Sequence, residues 1–197
     1  MKILDNGICA IDSVKVSGYR EGKYGVTIIY HENSTAVGVY TTNQVYAAPI
    51  DITRKHIANG NISAIIVNSG NANCYTKEDG IKKGLELAQL VADSLNIPVE
   101  DVAVASTGVI GRQMPMDILK PVAEKSLSQL DNNRESANNA ADAILTTDTV
   151  RKECAVEHKV KSNIYSGKEG IGNKQRFSLT FYVFSKAVFF CVCKHTA

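Results

Sequence analysis

Val104-Ala-Ser-Thr-Gly-Val-Ile-Gly-Arg-Gln-Met-Pro-Met-Asp117 is the stretch on which the reading of this chain turns. The β-prone apolar run from Val102 to Ala105 stops abruptly at Ser106-Thr107-Gly108. A strand that ends in a small-hydroxyl–glycine turn leaves backbone N–H groups unpaired and pointing one way, where they can hold an anion or a developing oxyanion. The same pattern also describes an ordinary strand-ending turn, and the residues of this stretch alone do not separate the two.

Working outward, Ser63-Ala-Ile-Ile-Val-Asn68 is a short apolar strand whose lack of alternation implies burial on both faces. It runs into the small-polar loop Ser69-Gly-Asn-Ala-Asn73. Thr76-Lys-Glu-Asp79 has the spacing of a helix start, and Ile81, Leu85, Ala88, Ala92 and Leu95 recur on one helical face up to Asn96, just before Pro98. Strand, helix and the strand at 102–105 together have the size of a βαβ unit. Upstream, Val26–Tyr30 and Thr35–Thr42 read as two antiparallel strands joined by a turn at His31–Ser34, with a short strand around Ile8–Val16. Downstream, Pro115–Leu130 reads as a helix broken at Pro121, and Glu135–Leu145 as an alanine-rich helix. The second helix stops at Thr146-Thr-Asp-Thr149, and Cys154–Val160 reads as a further strand.

The 197 residues suffice for one sizeable core or two small domains. A hydrophobic content of 44% with 21% charged residues describes a soluble globular protein, and a net charge of +2 points to neither nucleic acid nor an acidic surface as partner. Five cysteines at positions 9, 74, 154, 191 and 193 form neither a disulfide framework nor a zinc pattern, so a reducing compartment is expected. With no apolar leader at Met1–Asn6, the chain reads as cytosolic.

Three segments are built from small hydroxyls, Asn and Gly: Ser69–Asn73, Ser106–Gly108 and Thr146–Thr149. Each follows a buried element, and they are expected to converge on one small-molecule cleft. Cys74 has no neighbouring base to activate it, which favours a packing role over a nucleophile. His31, His56 and His158 show no metal-ligand spacing, so surface or capping roles are expected. Gly108-Val-Ile-Gly111 lacks the third glycine and the lysine of a nucleotide loop.

Four blocks, in order and in register, resemble the ornithine acetyltransferase (glutamate N-acetyltransferase) family of arginine biosynthesis. They are Val37-Gly-Val-Tyr-Thr-Thr-Asn-Gln-Val-Tyr-Ala-Ala-Pro49, Ile65-Ile-Val-Asn-Ser-Gly-Asn-Ala-Asn73, Ala105-Ser-Thr-Gly-Val-Ile-Gly111 with Met114–Asp117, and Ala143-Ile-Leu-Thr-Thr-Asp-Thr149. The resemblance implies an α/β layered sandwich of mixed sheet and helices, in a cytoplasmic enzyme whose precursor cuts itself before a threonine into α and β chains. The new N-terminal threonine is then the nucleophile and its own amine the base. Acetyl passes from N-acetylornithine to glutamate, and some members accept acetyl-CoA as a co-substrate. The family's α and β chains associate as a heterotetramer; no other cofactor, metal, nucleic acid or membrane is implied. By the same resemblance, Thr107 and Gly108 match the oxyanion-stabilising pair, and Thr149 matches a substrate-binding position.

The resemblance extends over roughly residues 8–160, so it divides the chain into an α-chain-like domain, 1–161, and an atypical tail, 162–197. All five phenylalanines fall between Phe177 and Phe190, and the tail carries +4 against −2 for the rest. Phe177–Cys193 is short for a membrane span and holds Ser185-Lys186 in its middle. Ser166-Gly-Lys-Glu-Gly-Ile-Gly172 only echoes the family's glycine–lysine block, so Lys168 is not assigned the family's substrate lysine. No Asn-Met-Ala-Thr processing site follows, and Thr196 stands in the wrong context for a nucleophile. The expectation is an α-chain portion without its nucleophile or β half, inactive alone, whose tail reflects a changed reading frame or truncation. The alternative is a non-catalytic subunit that binds a small amino-acid ligand or needs a separate β chain.

Overall fold

The computed structural model describes residues 2–11, 13–158, 175–177 and 189–193. Most of the atypical tail therefore lies outside the described residues. The central sheet runs β2 (Lys15–Glu21), β3 (Tyr24–Val39), β4 (Asn61–Asn71) and β5 (Val102–Val109), with β8 (Phe189–Cys193) paired to the far end of β3. β3 is antiparallel to both β2 and β4, whereas β4 and β5 are parallel, so the sheet is mixed. A smaller antiparallel sheet joins β1 (Lys2–Leu4), β6 (Ala155–His158) and β7 (Gln175–Phe177).

Helices cover both faces of the sheet. α1 (Ala48–His56), α2 (Lys77–Leu95) and α3 (Met116–Leu127) share one face, where Ile28, Ile66, Leu87, Val91, Val104 and Leu119 are buried together. α4 (Arg134–Ile144) lies on the other face. There Ala137 and Ala140 meet Cys9 and Val16, and Ile144 meets Val67 and Ala105. Small residues on both sides let the α4 backbone sit directly on the sheet. A Cβ added at Gly18 would lie 2.2 Å from the Asn139 carbonyl oxygen, and one at Gly25 would lie 2.0 Å from that of Ala143. Between them Thr27 Oγ1 donates to the Ala140 carbonyl at 2.6 Å. Burial there pushes the Cys9 thiol up to about 11, which keeps it neutral. Among the described residues, no helix is long and apolar enough to cross a membrane.

The β4–α2–β5 unit stands where periodicity places it; other expectations need correction. The two strands read on either side of His31–Ser34 are a single strand, β3, with a bulge between Tyr30 and Ser34. Ser34 Oγ donates to the His31 carbonyl at 3.0 Å, so the turn-forming residues bond each other without reversing the chain. The strand expected around Ile8–Val16 is a 3₁₀ turn at Gly7–Ala10, and β2 begins only at Lys15. The buried face of α2 is Gly80, Gly84, Leu87, Ala88, Val91 and Ala92, so the expected stripe is rotated and Leu85 is 39% exposed. Thr76 precedes α2 without capping it; its hydroxyl donates instead to Asn73 Oδ1 at 2.8 Å. Pro121 does not break α3. It removes one hydrogen bond near the helix start, while Leu119, Val122 and Ala123, all fully buried, hold the helix on the sheet.

Candidate active site

The C-terminal ends of the parallel strands β4 and β5 place the first two polar segments side by side: Ser69 pairs with Thr107, and Gly70 with Gly108. Each segment extends its strand before leaving it. The register slips at Gly70/Asn71, where Gly108 adopts φ +133° and Gly70 φ +91°. A Cβ on Gly108 would lie 2.4 Å from Gly70 C and 2.5 Å from Asn71 N, so only glycine lets the two strand ends approach this closely. Thr107 is half-buried, Gly108 is exposed, and no hydrogen bond to the Thr107 hydroxyl is formed among the described residues.

Strand alternation sends Ser106 and Asn68 to the α1–α3 face and Thr107 and Ser69 to the α4 face. On the first face three buried asparagines form a frame. Ser106 Oγ donates to Asn68 Oδ1 at 2.5 Å, and Asn68 Nδ2 donates to the Asn71 carbonyl at 2.8 Å. Asn71 Nδ2 donates to the carbonyls of Arg112 and Gln113, while its Oδ1 accepts from the Asn73 N–H. Asn73 Nδ2 in turn reaches the Gly80 carbonyl at the start of α2. Every one of these amides is satisfied, which makes the loop a rigid support for the strand ends. Cys74 is half-buried beside it, its carbonyl accepting from the Gly111 N–H.

The α4 face carries the third segment. Ser69 Oγ donates to the Ala143 carbonyl at 2.6 Å, joining the end of β4 to the end of α4. Arg20 reaches the same place, its Nη2 donating to Ser69 Oγ at 3.2 Å, to Ala143 O at 2.9 Å and to Leu145 O. Burial pulls the Arg20 guanidinium below its ordinary value, with Asp142 opposing. Beyond Leu145 come Thr146–Thr149, all exposed, and Arg151 then grips Asp142 with two bonds of 2.6 Å. The loop carrying Thr149 is thus held at both roots, one of them against Ser69, the neighbour of Thr107. A separate polar cleft, lined by Ser17, Gly18, Gln129, Asn133, Ser136 and Asn139, includes none of the three residues.

His56 differs from the surface or capping role expected of it: it is buried, with Nδ1 2.7 Å from the Val102 carbonyl, and ties α1 to β5. Nothing in the local sequence singles out Arg20, whose contacts with Ser69, Asp142, Ala143 and Leu145 span 49 to 125 residues, although it also donates to the Lys23 carbonyl three residues on.

The Asp142–Arg151 pair makes a checkable prediction. The Arg151 hydrogen bonds hold the Asp142 carboxyl below its ordinary 3.8. Because the folded value is the lower one, the pair's stabilisation is present above the unfolded value and lost as pH falls through the folded one. Both side chains are more than a third exposed, which limits the effect to at most about 1 kcal/mol. Asp142→Asn should therefore lower unfolding free energy by up to about 1 kcal/mol at pH 7 and by nothing measurable near pH 2. Equal losses at both pH values in urea titrations would rule out the ionised pair as the cause.

The family model described as "ArgJ family" matches residues 12–172. The glutamate N-acetyltransferase of Methanothermobacter thermautotrophicus is 46% identical over 162 residues, 82% of this chain and 40% of the relative. That of Methanocaldococcus jannaschii is 46% identical over 162 residues, 81% of this chain and again 40% of the relative. The chain thus spans about 40% of the length of the curated relatives it matches. Two solved structures share its fold. The ornithine acetyltransferase of Mycobacterium tuberculosis, in complex with ornithine, has a TM-score of 0.72 at 25% identity, covering 100% of this chain and 95% of that one. The arginine biosynthesis bifunctional protein argJ of Bacillus halodurans has a TM-score of 0.68 at 27% identity, covering 100% and 94%. With a family model matched over most of its length and the same fold in both solved structures, the chain belongs to the ArgJ family.

Proposed function

We propose that this chain is the α-chain part of an acetyltransferase that moves acetyl from N-acetylornithine to glutamate in arginine biosynthesis. In this reading Thr107 and Gly108 stabilise the oxyanion and Thr149 binds substrate. The observation that carries it is the placement of Thr107 and Gly108 at the close-packed ends of β4 and β5. A hydroxyl there lies on the α4 face, whose next loop bears Thr149. The names of the relatives and of the solved structures support the same chemistry.

The reaction has two halves. A threonine Oγ attacks the acetyl carbonyl, its proton passing to the threonine's own amine, and the carbonyl oxygen becomes an oxyanion that accepts hydrogen bonds from the Thr107 hydroxyl and the Gly108 N–H. Collapse releases the ornithine amine with a proton and leaves acetyl as a threonine ester. The α-amine of glutamate then attacks the ester carbonyl through the same oxyanion site; collapse breaks the ester C–O bond, the attacking amine's proton returns by way of the threonine's amine to its Oγ, and N-acetylglutamate leaves. No threonine of residues 1–161 is assigned as that nucleophile. It comes from a β chain released by self-cleavage of a common precursor, and α and β chains associate as a heterotetramer in the cytoplasm. The two-chain reading is supported by coverage: the matched solved chains are covered over 94–95% of their length, the curated relatives over about 40%. In this reading acetyl-CoA is a second acetyl donor to the same site.

The alternative is a non-catalytic subunit that binds a small amino-acid ligand or needs a separate β chain. Acetyl transfer from N-acetylornithine to glutamate, assayed with the chain alone and with a family β chain added, separates the two. Turnover only in the mixture supports the proposal. Turnover by the chain alone removes the need for a β-chain nucleophile, and N-acetylornithine binding without turnover in either supports the alternative.

A further inference from the structure

We infer that Arg20 is a positioning residue that holds the 145–151 loop in register with Thr107. Its anchoring role stands on geometry; its effect on substrate rests on the proposed assignment of Thr149.

Arg20, Gly25, Ser69 and Thr107 are successive partners across β2, β3, β4 and β5, one lateral row of the sheet. Adjacent strands are about 4.8 Å apart, so the row carries Arg20 to within reach of the strand ends. Gly25 forms a notch in that row, and the last turn of α4 settles into it, where a Cβ would stand 2.0 Å from Ala143 O. The Arg20 side chain reaches Ser69 Oγ and the carbonyls of Asp142, Ala143 and Leu145. Two N–H bonds on Nη2 cannot serve four acceptors at full strength. The nearest, Leu145 O and Ala143 O, carry the anchorage, and these are the carbonyls from which the loop departs.

A cation suits this place because the C-terminal carbonyls of a helix lack intrahelical partners and carry the negative end of its dipole. The neighbouring carboxylate of Asp142 is already occupied by Arg151. Arg20 is therefore left to the backbone, where its position sets the angle at which the chain leaves α4. Without it, Ser69 Oγ to Ala143 O would be the remaining side-chain bond between strand end and helix end among the described residues.

The test uses the whole 197-residue chain, with amide hydrogen exchange followed by segment and N-acetylornithine binding by titration. Arg20→Ala should speed exchange over 145–151 by about tenfold or more while leaving 64–67 and 102–105 within about twofold, as expected of a local opening. It should also weaken N-acetylornithine binding several-fold. Arg20→Lys, which returns a cationic donor, should recover most of both losses. Unchanged exchange over 145–151, or acceleration spread evenly through β4 and β5, overturns the inference. Thr149→Val serves as the parallel variant. If it weakens binding while Arg20→Ala frees the loop without weakening binding, positioning of the substrate loop is refuted. If it has no effect on binding, the Thr149 assignment fails, and the anchorage is then decided by exchange alone.

Discussion

Thr107→Ala should slow acetylation of the enzyme by about a hundredfold or more, assayed in complex with a β chain that supplies the nucleophile. One oxyanion donor is commonly worth about 3 kcal/mol of transition-state stabilisation, and each 1.36 kcal/mol is a factor of ten in rate. The fold should hardly notice. Thr107 is half-buried at a strand end and makes no side-chain hydrogen bond among the described residues, so the melting temperature should move by no more than about 3 °C. Thr107→Ser, which keeps the hydroxyl, should retain most of the rate. The contrast matters because the loss is attributed to one donor and not to disturbed packing. If the alanine variant acetylates within twofold of the parent, the hydroxyl is not an oxyanion donor and the proposed role of Thr107 is wrong. If serine is as slow as alanine, the lost methyl is responsible, and the role is steric.

What could be read along the chain was what depends on near neighbours. The β4–α2–β5 unit follows from an apolar run, a helical repeat and a second apolar run, and Asn96 does end α2 in the left-handed conformation, φ +53°. His31-Glu-Asn-Ser34 misled because a bulge and a hairpin turn use the same residues; what separates them is whether β4 continues alongside, and the partners flanking the bulge, Ala64 for Tyr30 and Ile62 for Ser34, lie far along the chain. The face of α2 was displaced because Gly80 and Gly84 have no hydrophobic signature, yet both are buried, Gly84 with Ile52 pressed so close that a Cβ would lie 2.5 Å from it. Thr107 and Gly108 read as a strand-ending turn, yet β5 carries both before it ends at Val109, and their proposed role rests on the family resemblance. Arg20 was invisible in principle. Arginine on a strand edge is ordinary, and what distinguishes this one is the lateral row that folding assembles from four separate strands.

The second large effect is expected from Gly108→Ala, and it should fall on stability first. At φ +133° an L-residue is strained, which costs on the order of 1–3 kcal/mol. Its Cβ would also lie 2.4 Å from Gly70 C and 2.5 Å from Asn71 N, backbone atoms that cannot turn aside as a flexible side chain does. Overpacking of this kind typically adds about 1–3 kcal/mol, so a combined loss near 4 kcal/mol is expected. That is a large share of the 5–15 kcal/mol that holds a typical domain folded. Gly22→Ala is the matched comparison. It too has a positive φ, +57°, but nothing stands within 4 Å of its Cβ, so it should cost only about 1 kcal/mol. The difference between the two variants in urea-unfolding free energy isolates the contact between strand ends from the backbone preference. The Asn68–Ser106 and Asn71–Arg112 hydrogen bonds fix the same strand ends, so they cannot part to admit the methyl without breaking satisfied, buried amides. Equal losses at positions 22 and 108 would mean that β4 and β5 separate freely, and the rigid support assigned to Thr107 would go with them.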